Sequence, residues 1–507
     1  MTAVSSIDVR TGTPVAEVAA ESTAADVDAV CVRAERAFPA LEALGRAGRA
    51  AMLRAMADEL EARRATLTEV ADRESALGET RLNGELTRTC FQLRLFAEVI
   101  EDGGYLEATI DHAGDTAMGP RPDVRRMLVP LGPVGVFGAS NFPFAFSVPG
   151  GDTASALATG CPVVVKAHPA HPGTSQLAYE ALDAGARASG APEGTVGIVH
   201  GQEGGSLLVR HPAIKAVGFT GSLRGGRALF DLASARPDPI PFYGELGSLN
   251  PLVVTPAAAA ERAEEIAKGL IGSFTLGVGQ FCTKPGLAFV PAGEAAERLR
   301  AAMTAGVAEL GAGWMLSAGI HDAFEAGAAR LRETAGVSAV ASTPDGNGSQ
   351  GPTASSPVVF AARAGELSGA VLEECFGPVT VLAEYADEEE LFAALAGLSG
   401  ALTATVHIGD GETGLPERLA AALRDRAGRL IWNGFPTGVA VAWAMNHGGP
   451  WPATTNALHT SVGGTAVRRF VRPVAWQDAP QSVLPEELRD GPVSVPRRVD
   501  GTLEPSA

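Results

Sequence analysis

Apolar positions in the first hundred residues recur at helical spacing. Residues 25–101 read as helices, and over 49–67 the side chains Leu53, Met56, Leu60 and Leu67 fall on one face. Beyond Arg126 the texture changes. Short, wholly apolar runs at 134–137, 163–165, 196–199, 216–219, 252–254 and 287–290 are separated mostly by amphipathic stretches of about 12 to 20 residues. A second series follows at 357–360, 379–382, 402–407 and 430–432. Strands that are apolar on both faces and alternate with helices predict parallel sheets covered on each side. The pattern therefore predicts an α/β protein with two such units and a cleft between them.

Two stretches need separate treatment. Residues 127–151 carry no charge, but Pro130, Pro133, Pro143 and Pro149 interrupt them, and a membrane helix needs about 20 apolar residues without repeated breakers. A buried, irregular segment is expected there, and no membrane span. Residues 486–507, rich in proline and charge, are expected to form a surface tail.

Charge and composition narrow the function classes. Lys and Arg total 40 against 58 Asp and Glu, a net charge of −18, which argues against nucleic acid as the main partner. The cysteines Cys31, Cys90, Cys161, Cys282 and Cys375 are too few and scattered for a disulfide framework; with a polar N-terminus, they suit a cytoplasmic location. No CxxC pair or HExxH motif is present, so no metal site is expected. Lysines are scarce beside arginines. Lys166, Lys215, Lys268 and Lys284 stand out for that reason alone.

Six segments carry candidate chemistry. Gly218-Phe-Thr-Gly221-Ser222-Leu-Arg-Gly-Gly226 follows an apolar strand and precedes a helical segment; it is either an ordinary turn or an anion cradle of backbone N–H groups. It is not the GxGxxG fingerprint. Lys166 ends the run Val-Val-Val-Lys, where α/β sheets bind ligands, or it is a solvated strand end. His168 and His171, each followed by proline, read as an extended turn. Cys282, in Gly277-Val-Gly-Gln280-Phe-Cys282-Thr-Lys284, is either a nucleophile or a buried structural thiol. Glu245, between Gly244 and Leu246, is a turn residue or a general base. Asn141 lies inside the uncharged stretch, where a buried amide needs a partner and can donate to an oxyanion. Glu373-Glu374-Cys375-Phe376-Gly377-Pro378 is either a solvated cap or part of a site.

Together, in order and from about residue 5 to 480, these segments resemble the aldehyde dehydrogenase superfamily. The resemblance implies two parallel-sheet α/β units, one for cofactor and one for catalysis, with a small oligomerisation extension. It implies a cofactor domain over 1–110 and 130–245, a catalytic domain over 246–440, and an oligomerisation region over 111–129 and 441–485. Cys282 matches the nucleophile, Glu245 the general base and Asn141 the oxyanion amide. Lys166, Gly221, Ser222, Gly226, Glu374 and Phe376 match the cofactor contacts, and Phe142 the aldehyde tunnel.

Two runs, 279–286 and 447–455 with 460–463, look like the NADP-linked branch that includes 2,5-dioxopentanoate dehydrogenases. Oxidation of that aldehyde to 2-oxoglutarate is the implied reaction. The alternatives are another aliphatic or pathway-specific aldehyde or, in a different class, a cysteine hydrolase or acyltransferase. A hydrolase would want a histidine beside the nucleophile, and none of the nine has a claim from the pattern. NADP is preferred over NAD, because Pro169 stands where NAD-linked relatives often carry a ribose-binding glutamate. The branch usually has Asp where Asn456 stands. A homodimer or homotetramer is implied.

Overall fold

The computed structural model describes residues 2–344 and 346–506. After a hairpin of Ala3–Asp8 and Thr13–Ala20, four helices follow: Ala24–Ala43, Gly45–Ala62, Arg64–Ser75 and Glu79–Asp102. The apolar face expected over 49–67 is therefore divided. Arg63, at φ −103° and ψ 11°, ends one helix and opens the next. Leu53, Met56, Leu60 and Leu67 are nevertheless all fully buried, so the period identified the core face but not the break.

The first sheet is entirely parallel. Its strands are β1 (Val134–Phe137), β2 (Val163–Lys166), β3 (Val196–Val199), β4 (Ala216–Thr220) and β5 (Phe242–Glu245), in the spatial order β5-β4-β1-β2-β3. One helix fills each connection: Gly151–Thr159, Pro172–Ala188, Gln202–Arg210 and Leu223–Ser234. The all-apolar sequence of β2 has a direct cause. Val163 and Val165 enter the core beneath the N-terminal helices, while Val164 points into a second core on the opposite face.

Residues 246–250 lead into the second sheet. It contains β6 (Pro251–Val254), β7 (Leu287–Pro291), β8 (Ser338–Ser342), β9 (Val358–Arg363), β10 (Val379–Tyr385), β11 (Ala401–His407) and β12 (Ala427–Trp432). The order is β8-β9-β10-β7-β6-β11-β12, with only β8 antiparallel. β6 and β7, which pattern groups with the preceding strands, thus belong to the second unit. Val253 faces one core of that unit, and Leu252 and Val254 the other.

A third sheet joins distant segments in the order Val471–Gln477, Val124–Pro130, Thr109–Asp111, Arg497–Val499, Thr502–Glu504. Residues 486–507, expected as a surface tail, supply two of its strands, and Leu488 and Val495 are fully buried. Composition misled here: the charged side chains are exposed or paired while the intervening apolar ones pack inward. No helix among the described residues is long and apolar enough to cross a membrane. The uncharged stretch 127–151 instead provides the end of one strand, all of β1 and a buried loop.

Candidate active site

The buried loop after β1 carries Asn141 and Phe142. Glu85, on helix Glu79–Asp102, accepts hydrogen bonds from the backbone N–H groups of Phe144 (2.8 Å) and Ala145 (2.9 Å). Arg81, one turn earlier, donates from Nη2 to the Asn141 carbonyl at 2.6 Å and lies 5.0 Å from the Phe142 ring centre. Phe142 meets Phe146 and Phe281 edge-on, at centroid distances of 5.2 and 5.1 Å. The loop is thus fixed at both backbone and ring. The Asn141 side chain donates from Nδ2 to the Gln280 carbonyl at 2.8 Å, joining it to the cysteine loop.

That second loop follows helix Pro256–Thr275. Gly277, Val278 and Gly279 all have left-handed backbone, and a Cβ on Gly279 would collide with the Gly377 carbonyl. Glycine there lets the Glu374–Pro378 segment close on the loop. Gln280 holds the turn by donating to the Gly277 carbonyl (3.1 Å) and accepting from the Leu316 N–H (2.9 Å). Asn250, buried at the entrance to β6 with φ +52°, donates to the carbonyls of Cys282 (2.7 Å) and Lys284 (2.9 Å). Its Oδ1 accepts from Thr403 and Ser248. A single amide therefore anchors the cysteine loop to β11.

Cys282 is held in a strongly charged neighbourhood. Burial pushes its thiol up to about 12, and the carboxylates of Glu245 and Glu374 push in the same direction. Arg429 pulls the other way. Glu245 ends β5 and is 8% exposed; burial raises its carboxyl well above the usual range, Arg469 opposes this and Asp152 adds to it. Its Oε2 has no partner. Glu374 is pushed up to about 7 by burial, against Lys284 and a backbone N–H from Ser248. It lies over Gly247, where a Cβ would clash with the carboxylate. Phe376 is half-buried in the same segment. Lys284 points away from the thiol, donating to the Val379 carbonyl at 2.7 Å.

The remaining motif residues gather at the C-terminal edge of the first sheet. Phe137 pairs with Lys166 on one side and Phe219 on the other, and Thr220 pairs with Glu245. This is the edge where parallel α/β sheets bind ligands, and the strand order reverses at β1 and β4. Gly221 donates its N–H to the Glu245 carbonyl at 3.0 Å. Ser222 caps helix Leu223–Ser234, accepting from the Gly225 N–H at 3.2 Å, and is exposed. A Cβ on Gly226 would strike Leu246. Burial pulls the Lys166 ammonium down to about 8, with Glu21 opposing. An exposed helix N-terminus, a half-buried lysine and a buried carboxylate on one edge fit a phosphate-bearing dinucleotide.

The family model described as "Aldehyde dehydrogenase family" matches residues 2–452. The chain belongs to the aldehyde dehydrogenase family. Its activity is the oxidation of an aldehyde with a nicotinamide cofactor. The chain is 47% identical over 497 residues to "Alpha-ketoglutaric semialdehyde dehydrogenase 2" of Azospirillum brasilense, covering 97% of this chain and 94% of the relative. It is 40% identical to "Alpha-ketoglutaric semialdehyde dehydrogenase" of Acinetobacter baylyi, covering 99% and 95%. A solved NADP-dependent enzyme of E. coli has the same fold, with a TM-score of 0.80 at 21% identity, covering 94% of each chain.

The aldehyde dehydrogenase site contains residues that the pattern did not mark. His447 lies with Nε2 3.6 Å from Cys282 Sγ, so one histidine does stand beside the thiol. It is separated by 165 positions in sequence and sits in a turn fixed by Thr460 and Ser461, which no local signal connects to the cysteine. Burial, with Arg429 and Arg88 nearby, pulls its imidazole down to about 3. That burial disfavours the imidazolium a cysteine-hydrolase pair uses. Arg88, Arg429 and Asn250 were also unmarked. Asn456 lines a small cavity beside Glu245 with Thr454, His459 and Arg469, and its Oδ1 accepts from the Leu458 N–H at 3.1 Å.

Proposed function

We propose that this dehydrogenase oxidises 2,5-dioxopentanoate, the semialdehyde of α-ketoglutaric acid, to 2-oxoglutarate. The near-full-length identity of 47% to a dehydrogenase named for that semialdehyde carries the reading. The Cys282 thiolate attacks the aldehyde carbon. Asn141 Nδ2 has two N–H bonds and uses one on Gln280, leaving the other, with the Cys282 backbone N–H, to hold the oxyanion. Bound nicotinamide supplies the hydride acceptor. Glu245, made more basic by burial, takes a proton from the water that hydrolyses the Cys282 thioester. Phe142, clamped between two rings, narrows the approach to a slim chain.

Lys166, Gly221, Ser222, Gly226, Glu374 and Phe376 hold the cofactor in this reading. NADP is the preferred partner: Pro169 puts no carboxylate beside a 2′-phosphate, and Lys166 attracts one. Five free thiols support a cytoplasmic setting. Among the described residues, Val471–Gln477 and β12 each pair on one side only, which supports a homodimer or homotetramer joined through strand edges.

The test is a reduction screen with NADP and NAD over 2,5-dioxopentanoate, succinic semialdehyde, and simple aliphatic and aromatic aldehydes. The highest kcat/KM is expected for 2,5-dioxopentanoate with NADP, and none in Cys282→Ala, which still binds cofactor. Turnover retained in that variant refutes the role of Cys282.

A further inference from the structure

We propose that Arg88 binds the far carboxylate of the substrate, and that this residue makes the enzyme selective for acid semialdehydes. The proposal rests on the dehydrogenase reading of the Cys282 pocket and adds the group that recognises the substrate's other end.

Three arginines stand near Cys282: the charges of Arg88 and Arg429 act on the thiol, and Arg81 lies 4.8 Å from the ring centre of the adjacent Phe281. Among the described residues, none makes a carboxylate ion pair; their hydrogen bonds go to backbone carbonyls. In a chain of net charge −18 that is a notable concentration of unpaired cations. Glu85 lies between Arg81 and Arg88 on one helix and its charge acts on both, but only its Oε1 is hydrogen-bonded, accepting from Phe144 and Ala145, and Oε2 reaches neither guanidinium.

The three differ in how firmly they are held. Arg81 donates from Nη2 to Asn141, and its Nη1 lies against Gly277 where even a Cβ has no room; it is a structural clamp. Arg429 commits Nη1 and Nη2 to the carbonyls of Gly438 and Pro436. Each of the three keeps one buried N–H without a partner: Arg81 Nη1, Arg88 Nη1 and Arg429 Nε. Arg88 is the least firmly held, directing Nε and Nη2 to the single carbonyl of Val439 at 3.4 and 3.3 Å. A buried guanidinium N–H left unpaired is costly, and an incoming acceptor removes that cost.

Arg88 is also correctly placed. Its guanidinium lies 5.0 Å from the Phe146 ring centre, Phe146 is 6.0 Å from the His447 ring, and His447 touches Cys282 Sγ at 3.6 Å. A short chain joined to Cys282 at one end and lying along Phe146 and His447 therefore brings its other end to Arg88. A carboxylate is the acceptor that best matches a charged N–H donor, and a neighbouring oxo group offers a second, coplanar acceptor.

The test compares kcat/KM for 2,5-dioxopentanoate and for pentanal in wild type, Arg88→Met and Arg88→Lys. Loss of a charge-assisted hydrogen bond predicts that the acid-to-pentanal ratio falls about 10- to 100-fold in Arg88→Met, through KM. Arg88→Lys, which keeps the charge but not the fork, retains part of the preference and guards against a Met variant that fails to fold. A wild-type preference for the acid that survives unchanged in both variants overturns this proposal alone. A wild type without that preference overturns the substrate reading, and this proposal with it.

Discussion

At Cys282, burial and two carboxylates act in the same direction, holding the thiol protonated near neutral pH. Thiolate is the reactive form, so its fraction, and the rate of alkylation, rise with pH. Removing one negative neighbour lowers the thiol pKa. In Glu374→Gln the pH profile of Cys282 alkylation by iodoacetamide is expected to move down by about one pH unit, read by mass spectrometry of the cysteine peptide. An unmoved profile would mean that Glu374 does not act on the thiol. Cys282, Glu245 and Asn141 could be proposed from the sequence because each sits in a short motif whose chemistry is local. Arg88 was not, because a chain with so many arginines offers no means of choosing among them before the fold brings Phe146 and His447 beside one.

The elements carry the site through a few fixed joints, of which Asn250 is the clearest. Its left-handed φ suits asparagine, and its amide binds the carbonyls of Cys282 and Lys284 while accepting from Thr403. Asn250→Ala strands these buried groups. A loss of about 3 kcal/mol in denaturant stability is expected, together with a reduced kcat, since the cysteine loop loses its tie to β11. Stability and kcat equal to wild type would deny the joint. The apolar strands β1 to β4 were legible because both faces are buried. β5 was not: Phe-Tyr-Gly-Glu contains no apolar run, and its position comes from pairing with β4. The divided helix at Arg63 was also hidden, since its two parts bury one continuous face.

Over the whole molecule, two parallel sheets meet through residues 246–250, and the reacting groups lie at that seam. Glu245 and Glu374 act on Cys282 with one sign and Arg88 and Arg429 with the other, so arginines gather locally at the thiol in a chain that is acidic as a whole. The third sheet was the least legible part, because its strands come from segments hundreds of residues apart and only Val124–Pro130 carries a short apolar run. Its C-terminal strands are nonetheless structural. Deleting 486–507 exposes the sites of Leu488 and Val495 and removes the carbonyl and carboxylate that receive Arg125. A loss of about 4 kcal/mol is expected in urea denaturation; an unchanged midpoint would contradict the packing.

The central claim is that the aldehyde is oxidised on Cys282 and released by Glu245. It is tested most directly by mixing Glu245→Gln with 2,5-dioxopentanoate and NADP, then following cofactor reduction and the mass of the Cys282 peptide. The predicted result is one reduced cofactor per site, a stall, and Cys282 carrying the acyl group. Undiminished steady turnover with Cys282 unmodified would contradict it.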